Sequence, residues 1–101
     1  MKEWQHAGLD CGLLNGRHGS TQGYIAVRQG HPLHGKTEGQ IASEHGTALP
    51  RFKYAGDLHE DGRWWLGFTI APARVNPPED ECRQEIDFVA DRLAMLGRDA
   101  Q

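Results

Sequence analysis

Residues 79–96 read EDECRQEIDFVADRLAML, and their spacing decides the fold. Cys82, Ile86, Val89, Leu93 and Leu96 recur three and four residues apart, which aligns them in one apolar stripe of an α-helix. Glu79, Asp80 and Glu81 fall in the first turn, where carboxylates favour the positive end of the helix dipole. Asn76 or a neighbour is placed to cap that turn, and Gly97 follows as a C-terminal stop. A single amphipathic helix must bury its stripe against another layer.

The residues upstream supply that layer as strands. Arg63–Ile70, RWWLGFTI, is the most apolar stretch and is expected to be a central strand, entered from the turn dipeptide Asp61-Gly62. Gly23–Arg28, GYIAVR, is a second, rich in β formers. Trp4–Leu14 alternates in its second half, and Asn15-Gly16 opens the polar run that joins it to Gly23 as a long-looped hairpin. Thr47–Tyr54 reads as a further strand, entered through Pro50 and therefore at an edge or irregular in its early part. Gln29–Glu44 has little periodicity and reads as an irregular loop with one helical turn near residues 40–44. The expected architecture is a single α+β domain over residues 1–101: an antiparallel sheet of three to four strands (about 4–70), a connector (71–78) and one packed C-terminal helix (about 79–96).

Composition narrows the function classes. A chain of 101 residues with 38% hydrophobic and 25% charged side chains has room for one packed core. No apolar run approaches the roughly 20 residues of a spanning helix, and MKEWQHAGLD is no signal peptide, so a soluble protein of the cytoplasm is expected, with no membrane partner. The net charge is −3, with four basic and four acidic residues in the first half and seven and ten in the second. That balance argues against duplex nucleic acid, whose phosphates demand a basic face. It leaves room for a local anion pocket. Cys11 and Cys82 are expected as two reduced thiols, one in a strand and one on the helix.

The chemistry-bearing residues gather in the first two thirds. All six histidines lie within residues 6–59. His31-x-x-His34 has a metal-ligand look, but Pro32 and Gly35 interrupt it and no H-E-x-x-H arrangement is present, so no metal and no cofactor are expected. Gly30–Thr37, GHPLHGKT, formally matches G-x-x-x-x-G-K-[ST]. A P-loop also needs a larger βαβ sheet, so the match reads as accidental. Glycines beside imidazoles and Lys36 nonetheless suit a small anion site. In the strand at residues 63–70, Trp64, Leu66 and Phe68 point one way and Trp65 and Gly67 the other. One indole therefore leaves the helix-covered face and is available as structural cover or as a stacking platform, with Gly67 leaving space beside it.

In order along the chain, Trp4, Ala7-Gly8-Leu9, Cys11, the run GYIAVRQGHPLHGK from Gly23 to Lys36, His45-Gly46 and WWLGF from Trp64 to Phe68 resemble a family of small uncharacterised tailed-phage and prophage proteins. The chain departs from that family's pattern at Thr69, Pro72 and Arg74-Val75, where the family carries an Asp, a His and Gly-Asp. The loop around Arg74 thereby becomes cationic, which favours an anion over a metal. The resemblance implies a phage origin and an accessory role. With the donors of the chain, it points to a sponge-like anti-defence protein, expected to be a homo-oligomer, that sequesters a nucleotide-derived immune signal. The expected ligand-binding set is His31, His34, Gly35, Lys36, His45, Gly46, Arg51, Trp64, Trp65 and Arg74, with no catalytic residue. The alternative is a protein-binding inhibitor of a host defence complex, of the anti-CRISPR type, whose acidic helix (Glu79, Asp80, Glu81, Glu85, Asp87) mimics nucleic acid. A third is a small phosphodiesterase-like enzyme acting through paired histidines.

Overall fold

The computed structural model describes residues 1–15, 21–70 and 77–99. Five strands form one antiparallel sheet: β1 (Lys2–His6), β2 (Leu9–Asn15), β3 (Thr21–Val27), β4 (Tyr54–Gly56) and β5 (Trp64–Ile70). Their order is β1-β2-β3-β5-β4. Two helices complete the fold, α1 (Glu38–His45), followed by a 3₁₀ turn at Gly46–Ala48, and α2 (Glu79–Asp99). The α+β class with a helix-covered antiparallel sheet is as the sequence implies.

The strand count is higher than expected because Trp4–Leu14 is two strands. Ala7 and Gly8 both take positive φ, 54° and 81°, the backbone of a tight two-residue hairpin whose twist matches that of the strands. Glycine adopts this freely; alanine does not advertise it, so the turn has no clear sequence signal. Residues 29–44 also hold more structure than a loop. Thr37 accepts the Gln40 N–H at 3.2 Å while the Gln40 side chain accepts the Thr37 N–H at 2.9 Å, and this capping box starts α1. Only Ile41 of α1 is buried, which is why no periodicity marks it. Thr47–Tyr54 is not a strand. The chain makes its 3₁₀ turn, buries Leu49 and Phe52, and reaches the sheet edge only at Tyr54.

Register places Trp4, Cys11, Ile25 and Leu66 side by side on the face beneath α2. Cys82, Ile86, Val89, Ala90 and Leu93 close the core from the helix. Three alternate β1 residues then reach α2 side chains: Lys2 pairs with Glu79, the Trp4 indole donates to Asp87 at 2.8 Å, and His6 meets Asp91 at 2.9 Å. Arg83 lies over the Trp4 ring, 4.4 Å from its centroid. A period of two on a strand thus meets a period of 3.6 on a helix along one seam. Both cysteines are buried, Cys11 on β2 and Cys82 on α2, and no disulfide joins them.

The helix runs past the expected stop at Gly97. A Cβ there would come within 3.0 Å of the His31 ring, so the glycine serves close packing inside the last turns rather than ending them. The expected cap at Asn76 and the turn at Gly16 lie outside the described residues.

Candidate functional site

The Gly30–Thr37 segment spends its polar groups on itself. His31, His34 and Lys36 N–H donate to the carbonyls of Arg28, His31 and Leu33 at 3.1 to 3.2 Å. The Leu33 N–H donates to His31 Nδ1 at 3.1 Å, and the Thr37 N–H is taken by the capping box. An anion nest needs such donors to converge on empty space; here they close turns. A helix does follow Thr37, against expectation, but the phosphate-cradling geometry does not.

The side chains of this segment are equally engaged. His31 Nε2 reaches the Leu93 carbonyl at 2.7 Å, and His34 Nε2 the Gly62 carbonyl at 3.0 Å. The two imidazoles of the HxxH pair therefore serve different partners. Among the described residues no three His, Cys, Asp or Glu side chains gather as a metal-binding group. Lys36 Nζ is held by both carboxylate oxygens of Glu44, 2.6 Å from Oε2. Gly35, at φ 83°, provides the turn before it.

The tryptophans part company as alternation requires, but neither offers an open face. Trp64 is half-buried against the core, donates Nε1–H to the Lys36 carbonyl at 2.9 Å and meets the His34 ring at 5.9 Å. Trp65, on the other face of the sheet, has no solvent exposure. His59 approaches its ring edge-on at 5.6 Å and the Arg63 guanidinium lies 5.0 Å from its centroid, so the 57–63 loop covers it. Its Nε1 has no hydrogen-bond partner among the described residues. The space above Gly67 is filled by the protein's own Tyr24, packed edge-to-face on Tyr54 at 6.2 Å. Asp61 and Asp10 hold Arg63, and the Arg63 hydrogen bond keeps the Asp61 carboxyl below the usual carboxylate range.

The remaining expected residues lie on a different surface, around the connector from α1 to β4. His45 lines a cleft of about 200 Å³ with Ala48, Leu49, Arg92, Met95 and Leu96. Gly46 and Arg51 line a second, of about 480 Å³, with Ile41, Thr47, Pro50 and Phe52 among its walls. Leu49 is the ridge they share. Among the described residues neither cleft has a carboxylate in its lining, in a protein of net charge −3. Among the described residues Arg51 and Arg92 form no ion pair, unlike Lys36 and Arg63. The structure thus splits the expected set. His31, His34, Gly35, Lys36 and Trp64 form a structural cluster around the segment after β3, Trp65 is buried on the other face under the 57–63 loop, and His45, Gly46 and Arg51 border open clefts. Arg74 lies outside the described residues.

Arg92 and Leu49 were not expected at a site. On a helix, Arg92 reads as a solvated charge, and only the fold brings it beside His45. Compared with known proteins, the chain matches no family model, no curated protein and no solved structure.

Proposed function

We propose that the protein is a binder of a small phosphorylated ligand, of the nucleotide-derived class that carries immune signals, and acts as an accessory anti-defence protein of a phage by sequestering it. One observation carries this reading: among the described residues, the two clefts beside Leu49 are apolar-walled and bordered only by basic ionisable side chains, one of them Arg51, which forms no ion pair there. The larger cleft falls within the roughly 300–1,000 Å³ typical of ligand pockets. In it, Arg51 is the group for a phosphate, as a planar donor fork suited to phosphate oxygens. Leu49, Pro50 and Phe52 offer apolar contact to the rest of the ligand.

The test is calorimetric titration with a panel of mononucleotides, linear dinucleotides and cyclic dinucleotides. A charge-assisted phosphate contact is worth about 1.5–3 kcal/mol, so Arg51→Ala is expected to weaken binding about tenfold or more with the melting temperature nearly unchanged. Lys36→Ala, whose charge Glu44 already satisfies, is expected to leave affinity alone. Heat signals absent across the panel, or affinity lost with Lys36 and kept without Arg51, would sink the assignment.

The protein-binding reading keeps part of its basis. Of the five helix carboxylates it invokes, Glu79 is tied to Lys2 and Asp87 to Trp4. Asp80, Glu81 and Glu85 stay on the exposed side of α2.

A further inference from the structure

The outward side of α2 carries a pattern that the core does not explain. Phe88 is 62% exposed and Met95 57%, the two most exposed large apolar side chains of the described residues. Seven residues apart, they share one line along the helix. Glu85 and Arg92, also seven apart, share a second line on one flank. Asp80 and Arg98, eighteen residues or five full turns apart, share a third on the opposite flank. On both flanks the acid is in the N-terminal half and the base in the C-terminal half. All four are exposed, and none forms an ion pair among the described residues. Arg92 instead lies 5.8 Å from the Phe88 ring centroid.

Such a face is complementary to itself in one orientation. A parallel copy would set acid against acid. An antiparallel copy, related by a two-fold axis near Phe88, sets acid against base on both flanks and opposes the two helix dipoles. We propose that the outer face of α2 is the interface of an antiparallel homodimer, in which Phe88 meets the partner's Phe88, Glu85 meets the partner's Arg92, and Asp80 meets the partner's Arg98. Met95 then lies over the turn that carries the partner's Glu81. Aromatic and arginine side chains at the centre of the patch match the composition of interface hot spots. Asp91, beside the face, is occupied within the subunit by His6. The dimer does not involve Arg51 or its cleft on the α1–β4 connector, whereas Arg92 and Met95, which it does use, also line the smaller cleft beside His45.

The test is sedimentation equilibrium across a range of protein concentrations, with the variants Phe88→Glu, Glu85→Arg, Arg92→Glu and the double swap E85R/R92E. A dimer of twice 11.3 kDa is expected for the parent chain. Phe88→Glu is expected to give a monomer with unchanged circular dichroism, since the ring it replaces is exposed. Each single charge reversal creates two like-charge contacts by symmetry and is expected to raise the dissociation constant at least about tenfold. The double swap is expected to restore it. A parent chain that stays monomeric overturns the proposal, as does a dimer indifferent to Phe88→Glu. A dimer lost in both single reversals but not recovered in the swap overturns the antiparallel pairing. Phe88→Glu releasing a different bound protein, with the parent chain itself monomeric, assigns the face to another partner and overturns it too.

Discussion

His31 ties the loop after β3 to the last turns of α2: its Nε2 lies 2.7 Å from the Leu93 carbonyl oxygen, while its Nδ1 accepts the Leu33 N–H at 3.1 Å. A ring nitrogen that accepts carries no proton, so the imidazole is neutral and donates from Nε2. Burial holds its pKa below the ordinary 6.5, with the nearby His34 acting in the same direction and the Leu93 hydrogen bond against it.

Stability is therefore expected to fall as the pH drops. Between the lowered folded value and 6.5 the unfolded chain binds a proton at His31 that the folded chain does not, so the unfolding free energy rises with pH. The contribution is fully present above about 6.5 and is lost progressively as the solution is acidified through the folded value. Urea unfolding at a series of pH values, compared between the parent and His31→Asn, isolates this slope. The variant is expected to lose about 1–2 kcal/mol at neutral pH, from the two hydrogen bonds, and to show a flatter profile between pH 7.5 and 5.5. Equal slopes in the two proteins would show that His31 titrates as an ordinary surface histidine.

At Gly23 the sheet packs closely against α2. A Cβ there would stand 2.8 Å from Ile86 Cγ1 and 3.0 Å from Ile70 Cδ1 and Phe68 Cζ, all in buried side chains. Gly23→Ala, favourable for a strand by propensity, is expected to destabilise instead, by about 1–3 kcal/mol for overpacking. For a domain of this size each kcal/mol corresponds to about 4–8 °C in melting temperature. A melting temperature equal to the parent's would mean that α2 moves away from β3 at little cost.

The Cys11 thiol is pushed up to about 12, mainly by burial and further by the charges of Asp87 and Asp10. Thiolate is the reactive form, so Cys11 is expected to resist aromatic disulfide reagents at pH 8 in the native state. Adding urea beyond the unfolding midpoint is expected to expose both thiols of the chain at once. Fast labelling of Cys11 in the folded protein would contradict its burial between β2 and α2.

Much of the architecture is legible in local pattern. The stripe from Cys82 to Leu96 needs only a period of 3.6, and GYIAVR and RWWLGFTI need only their β formers, because both signals arise from nearest neighbours and burial on one face. Where the chain departs from expectation, the deciding term is tertiary or stereochemical. Ala7 takes a left-handed turn that its type does not favour. α1 forms on a capping box with one buried residue, and Gly97 stays helical because His31 packs against it.

The candidate site divides along the same line. Local pattern shows which residues bear donors and charge: the histidines, Lys36, Arg51 and the tryptophan pair are visible as residue types, and alternation alone sends Trp64 and Trp65 to opposite faces. Which of those donors stay available follows from long-range packing. Glu44, eight residues from Lys36, neutralises it, and the 57–63 loop folds over Trp65. Arg92 arrives beside His45 from the far end of the chain. Spacing cannot encode this, because whether a charge is spent or free depends on what lies within a few ångströms of it, and long-range contacts set that distance.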